Sequence, residues 1–130
     1  MTATAPTIRP LSDQERGWLA GLLEGEGCFD TTGPAGNPRV RVKMTDLDII
    51  MRAAHMMSTT YYGDPGGISR GNKMAWVAQV TGARAAWIMR ELLPLLGERR
   101  TDKVTGILTA YDARGRRPLT IVRETATVAA

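Results

Sequence analysis

Two carboxylates, Glu24 and Glu26, close the apolar run GWLAGLLEGEG, residues 17–27. Acids at the C-terminal end of a helix sit where the macrodipole disfavours negative charge. Crowded carboxylates are costly unless they are paired or bound to a metal. Two copies of such a helix, related by a two-fold axis, would bring their acids together. Carboxylates held in that way make an oxygen-rich site suited to a hard cation such as Mg2+. The competing reading is two exposed glutamates that open a turn and need no ion.

The element carrying these acids is itself unusual. Gly17, Gly21 and Gly25 recur at i, i+4 and i+8, and each glycine costs a helix about 1 kcal/mol relative to alanine. On a helical wheel Leu19, Leu22 and Leu23 cluster, while Gly17, Ala20, Gly21 and Gly25 lie on the other side. A helix apolar all round is buried all round. The leucine side fits this chain's own core. The glycine side suits a second backbone at close range, a geometry best known from small residues four apart in membrane helices. A second copy of the chain is the expected partner; a tightly packed monomeric core is the alternative.

The remaining elements form an α+β pattern. SDQE, residues 12–15, has the form of a capping box and starts the first helix. GCFDTT and RVRVKMT read as strands around the turn-rich GPAGNP. DLDIIMRAAHMM reads as a second helix, with Ile50, Ala54 and Met57 inward. TTYYGD and GGISRGNKMAWVAQVT read as a second hairpin, turning near Gly71-Asn72. ARAAWIMRELLPLLG reads as a third helix that packs through Ala85, Met89, Leu92 and Leu96 and is ended or kinked by Pro94. TDKVTGILTAYDA reads as a last helix, packed by Val104, Ile107, Leu108 and Tyr111. This order predicts a four-stranded antiparallel sheet with helices. Residues 1–11 read as a flexible arm, 12–112 as the domain and 113–130 as a basic tail.

The second strand alternates: Arg39, Arg41 and Lys43 share one face, Val40, Val42 and Met44 the other. Its charges are spaced about 6.6 Å apart, which suits successive phosphates or base edges, and a two-stranded ribbon fits the major groove of DNA. Asp30 and Thr32 on the first strand, and Arg70, Lys73 and Gln79 on the second hairpin, are candidates to join them. Trp76 and Gln79 point oppositely, so one of them faces the nucleic acid. Arg114, Arg116 and Arg117 hold flanking phosphate or are solvated. His55 reads as a surface or packing residue, and Cys28 as buried filler.

The composition is compatible with this. The chain has 130 residues and a net charge of +4, with a pI near 9.7, so an anionic partner fits. One cysteine excludes an internal disulfide and fits a reducing compartment. There is no signal-like N-terminus and no segment of about 20 apolar residues. A soluble, cytoplasmic protein is expected, with no membrane partner and no small-molecule cofactor.

WLAGLLEGEGCF closely resembles the signature of the LAGLIDADG homing endonucleases. The match runs through Leu19, Ala20, Gly21, Leu22, Leu23, Glu24, Gly25, Glu26 and Gly27 to the aromatic Phe29. The element order is that family's αββαββα core, and LLPLLGERR resembles its late proline-containing segment before basic residues. The resemblance covers residues 12–110. It implies a site-specific double-strand DNA endonuclease that serves the mobility of an intron or intein. With one motif the chain would act as a homodimer on a nearly palindromic target, through an interface of Gly17, Ala20, Gly21, Glu24 and Gly25. Glu26 would bind Mg2+ (or Mn2+) at the scissile phosphates, and Glu24 would bond backbone near the partner helix. Arg99 occupies the place of the family's usual lysine. It stays protonated, so it would stabilise charge rather than act as a base. Arg100 beside it would contact DNA. The alternatives are a non-cleaving DNA-binding regulator or an RNA-binding intron maturase of the same fold, and an oligomeric interaction domain without nucleic acid.

Overall fold

The computed structural model describes residues 5–115 and 118–122. Immediately after the N-terminal segment, the capping box forms as read: Ser12 Oγ accepts from Glu15 N–H at 3.1 Å, and Glu15 Oε1 accepts from Ser12 N–H at 3.0 Å. This starts helix α1, Asp13–Glu26. It feeds directly into strand β2, Gly27–Thr32, which turns through 33–36 into β3, Asn37–Met44. Helix α2, Leu47–Met56, leads to β4, Tyr61–Asp64, and β5, Ala75–Thr81. Helices α3, Gly82–Leu92, and α4, Glu98–Ala113, follow, separated by a 3-10 turn over Leu93–Leu95. Pro94 lies in that turn, where its ring cannot continue an α-helix.

The four strands form one antiparallel sheet in the order β2-β3-β5-β4. Its inner face carries Phe29, Val40, Val42, Ala78 and Val80 into one core. That core is shared with Leu19 and Leu23 of α1, Ile50 and Ala53 of α2, Ile88 and Met89 of α3, and Val104 and Leu108 of α4. The helices therefore cover one face and leave the other open.

Three local expectations are corrected. The stretch 65–70, read as strand, is a 3-10 turn. Pro65 fixes φ at its start, and Asp64 Oδ1 accepts from Gly66 N–H at 3.0 Å. The last helix starts at Glu98 rather than Thr101, so Arg99 and Arg100 belong to its first turn. Within the segment read as an arm, Thr7–Ile8 form β1, which pairs in parallel with Thr120–Ile121, β6. Ile8 is buried, Arg9 N–H donates to Ser58 Oγ at 2.8 Å, and Arg84 Nε donates to the Thr7 carbonyl at 2.5 Å.

Candidate nucleic-acid interface and cleavage corner

The open face of the sheet is set by register. Directly opposed residues on antiparallel strands share a face, so Cys28 lies beside Arg41, Asp30 beside Arg39 and Thr32 beside Asn37. On the other side Gln79 lies beside Arg41, Thr81 beside Arg39 and Val77 beside Lys43. Tyr62 and Asp64 of β4 complete the face opposite Val77 and Ala75. The ambiguity over the second hairpin is thereby resolved. Gln79 faces out, while Trp76 faces the helices beside Met44, with Tyr61 edge-on to it at 6.3 Å. Cys28 is exposed rather than buried, because Phe29 takes the inward position and fixes the phase of β2.

The three cations of β3 have different surroundings. Arg39 binds Asp30 through two bonds, Nε to Oδ1 at 2.8 Å and Nη2 to Oδ2 at 2.6 Å. The guanidinium holds the Asp30 carboxyl below its usual value. Lys43 Nζ binds Asp64 Oδ2 at 2.6 Å, and that bond lowers the Asp64 pKa. Arg41, between them, has no ion pair with another described residue. Its Nε is buried without a hydrogen-bond partner. A buried N–H left in that state costs about 1–3 kcal/mol. Lys43, Arg70, Lys73, Asn72 and the Gly66-Gly67 backbone line a cleft of about 400 Å3 at the end of β3 nearest α1.

The acidic motif occupies the corner where α1 enters β2. Arg100, in the first turn of α4, grips this corner. Its Nε donates to the Glu24 carbonyl at 3.0 Å and lies 2.7 Å from Glu24 Oε2, and one terminal nitrogen donates to the Gly27 carbonyl at 3.0 Å. Glu24 Oε1 accepts from Gly97 N–H. Glu24 thus bonds backbone of its own chain, and Arg100 is committed to the end of α1 rather than left open to phosphate. A side chain at Gly27 would meet the Leu23 backbone, its Cα and carbonyl oxygen both at 2.7 Å, so glycine is required there; one at Gly97 would meet only the end of the Glu24 side chain, Oε1 at 2.8 Å.

Glu26 is exposed and makes no hydrogen bond or ion pair with another described residue. Arg99 is likewise exposed and shares a cleft of about 260 Å3 with Arg100 and Lys103. Lys103 and Asp64 were not expected from the sequence. Lys103 lies four residues after Arg99 and so on the same face of α4, a spacing visible only once the helix begins at Glu98. Arg114 donates to the Ala35 and Gly36 carbonyls of the β2–β3 turn; Arg116 and Arg117 lie outside the described residues.

The outer side of α1 differs again. Gly17, Gly21 and Gly25 are exposed, and a Cβ at any of them would meet nothing within 4 Å. No described residue of this chain requires them to be glycine. Ala20, expected on the same stripe, is 3% exposed and belongs to the chain's own core; its neighbours Leu19 and Leu23 draw it inward.

Among the described residues no three His, Cys, Asp or Glu side chains gather into a metal-binding group, so within one chain Glu26 is a single donor. No helix among them is long and apolar enough to cross a membrane.

The four-stranded antiparallel sheet with helices on one face matches the homing-endonuclease fold. Two crystal structures of the homing endonuclease I-CvuI share it. One is in complex with the I-CreI target in the presence of 2 mM Mg, its DNA not cleaved, with a TM-score of 0.60. The other is in complex with its own target in the presence of 2 mM Ca, with a TM-score of 0.57. Each is 16% identical to this chain, and each match covers 74% of this chain and 64% of the other. The likeness is one of fold. No protein-family profile and no curated protein matches the sequence.

Proposed function

We propose that this chain is a metal-dependent, site-specific DNA endonuclease that acts as a homodimer on a nearly palindromic duplex. The observation that carries the reading is the corner itself. An exposed, unpaired carboxylate, Glu26, stands where α1 enters β2, and the neighbouring strand β3 lifts three cations off the open face.

Two-stranded ribbons enter the major groove, and the fold neighbours are DNA complexes. On this reading Arg41 and Gln79, side by side on β3 and β5, read bases. Arginine suits guanine and glutamine suits adenine. Lys43, Arg70 and Lys73 hold phosphate along the basic cleft. The glycine stripe of α1 packs on a second copy, which places the two Glu26 carboxylates near one axis. Ala20 and Glu24 would support that interface from behind.

The donor chemistry at Glu26 fits a hard cation, Mg2+ or Mn2+, which takes oxygen ligands. One carboxylate per chain is too few, so the second copy and the phosphate oxygens complete the set. When bound, such an ion supplies an activated water and offsets charge on the attacked phosphate. Arg99 stays protonated and adds electrostatic stabilisation at the same phosphate. Arg100 acts through Glu24 and Gly27, holding α1 and β2 at the angle that exposes Glu26.

Glu26→Gln keeps size and loses charge. It should leave duplex binding intact and lower hydrolysis in Mg2+ by a factor on the order of 10³, equivalent to several kcal/mol of transition-state stabilisation. Cleavage at the wild-type rate would remove Glu26 from the metal site. Tight binding without cleavage by the wild type would favour a non-cleaving DNA-binding role.

A further inference from the structure

We infer that Asp30 is a specificity-determining positioning residue, which grips one edge of the Arg39 guanidinium so that its other edge reads a guanine. The inference rests on the DNA-binding reading of the sheet. A guanidinium carries five N–H donors in a rigid fork. Asp30 takes the Nε and Nη2 edge with both carboxylate oxygens, at 2.8 and 2.6 Å. Nη1 makes no hydrogen bond with another described residue. The remaining edge, Nη1 with the second hydrogen of Nη2, presents two parallel donors, the pattern that guanine O6 and N7 accept.

Two features separate this pair from an ordinary surface ion pair. Its two side chains are only 25% and 28% exposed, and the contact is bidentate, so both are held in one geometry. Arg39 holds the Asp30 pKa below its usual value, chiefly through these hydrogen bonds, and the Cys28 side chain and Lys103 of α4 add to the effect. Lys43 and Asp64 provide the contrast: a single contact at 2.6 Å, a lysine 47% exposed, and no second edge to aim. Lysine there is a point charge for backbone. Arg39 is a directed donor because Asp30 fixes its plane, which removes part of the ordering cost of binding.

The test uses the full chain, wild type, Asp30→Asn and Arg39→Lys, on duplexes that differ by single base pairs within a selected site, at several salt concentrations. Asp30→Asn should lose preference at one base pair in each half-site, roughly tenfold. Affinity for random duplex should hold or rise, and the slope of log affinity against log salt should steepen by up to about 0.9, as Arg39 becomes free for phosphate. Arg39→Lys should lose preference at the same base pair. Every preference intact in Asp30→Asn, or a uniform loss across all sequences, would reduce the pair to a structural contact and overturn the inference alone. A wild type that binds no duplex would overturn the endonuclease reading and this inference together.

Discussion

The open face of the sheet and the outer face of α1 are both left uncovered by the described residues, and they are built in opposite ways. The sheet face is dense with side chains: Arg39, Arg41, Lys43 and Gln79, with Asp30 and Asp64 engaging two of the cations. The helix face carries Gly17, Gly21 and Gly25, with nothing near where their Cβ atoms would be. On the proposed function, the first specifies the chemistry of its partner, an anion with directional acceptors. The second specifies only a distance, since a face without side chains fits whatever brings a backbone close. A recognition surface and an assembly surface therefore leave different marks in a sequence: alternating charge in one case, helix-weakening glycine in the other.

Gly21→Leu breaks the second half of this contrast. The added side chain meets open space in the single chain, so folding stability should hold or rise by up to about 1 kcal/mol. Dimerisation and cleavage should both be lost, as read by sedimentation and by duplex cutting in Mg2+. A variant that unfolds would show the stripe to be packed within one chain. Arg41→Ala and Lys43→Ala divide the sheet face. The first should relax preference at one base in each half-site, by roughly 1–3 kcal/mol. The second should weaken all sequences alike and flatten the salt slope by about 0.9. Uniform loss in Arg41→Ala would make β3 an electrostatic rail.

Neighbouring arginines sharpen the contrast further. Arg100→Ala removes bonds to Glu24 and Gly27 and should cost about 1–3 kcal/mol in urea unfolding. Arg99→Ala should stay within about 0.5 kcal/mol of wild type in the same assay while lowering cleavage. Equal stability losses would show that both arginines are structural. A pH-dependent effect is expected at the other end of α1. Arg9 and the Ser12 backbone pull Glu15 from 4.5 to about 2. Its folded value lies below its unfolded one, so the stability it contributes is present above about pH 4.5 and is lost as pH falls toward 2. Glu15→Gln should be less stable than wild type at pH 7, with the gap closing across that window in thermal melts.

The sequence makes periodic elements legible and leaves isolated contacts hidden. The capping box, the alternation of β3 and the inward residues of α2, α3 and α4 repeat at fixed spacing, and the fold places them as read. The grip of Arg100 on Glu24 spans 76 residues, and the β1–β6 pairing joins two-residue strands from opposite ends of the chain. Neither has a local pattern to reveal it. GGISR, read as part of a hairpin strand, is instead wound by Pro65 and Asp64 into a 3-10 turn. In the proposed site, the shared face of Arg39, Arg41 and Lys43 was legible from their spacing, and Glu26 was singled out by the motif resemblance. Their partners Asp30 and Asp64, as ion-pair partners, emerge only from the register of the sheet.

Selection of wild-type protein on a randomised duplex library in Mg2+, with the bound sequences read out, tests both faces at once. Two copies joined through α1 and reading DNA through their sheets should enrich an inverted repeat, with guanine among the preferred bases of each half-site. An asymmetric motif, or no enrichment from a protein that sediments as a clean 14.1 kDa monomer with and without DNA, would contradict the account.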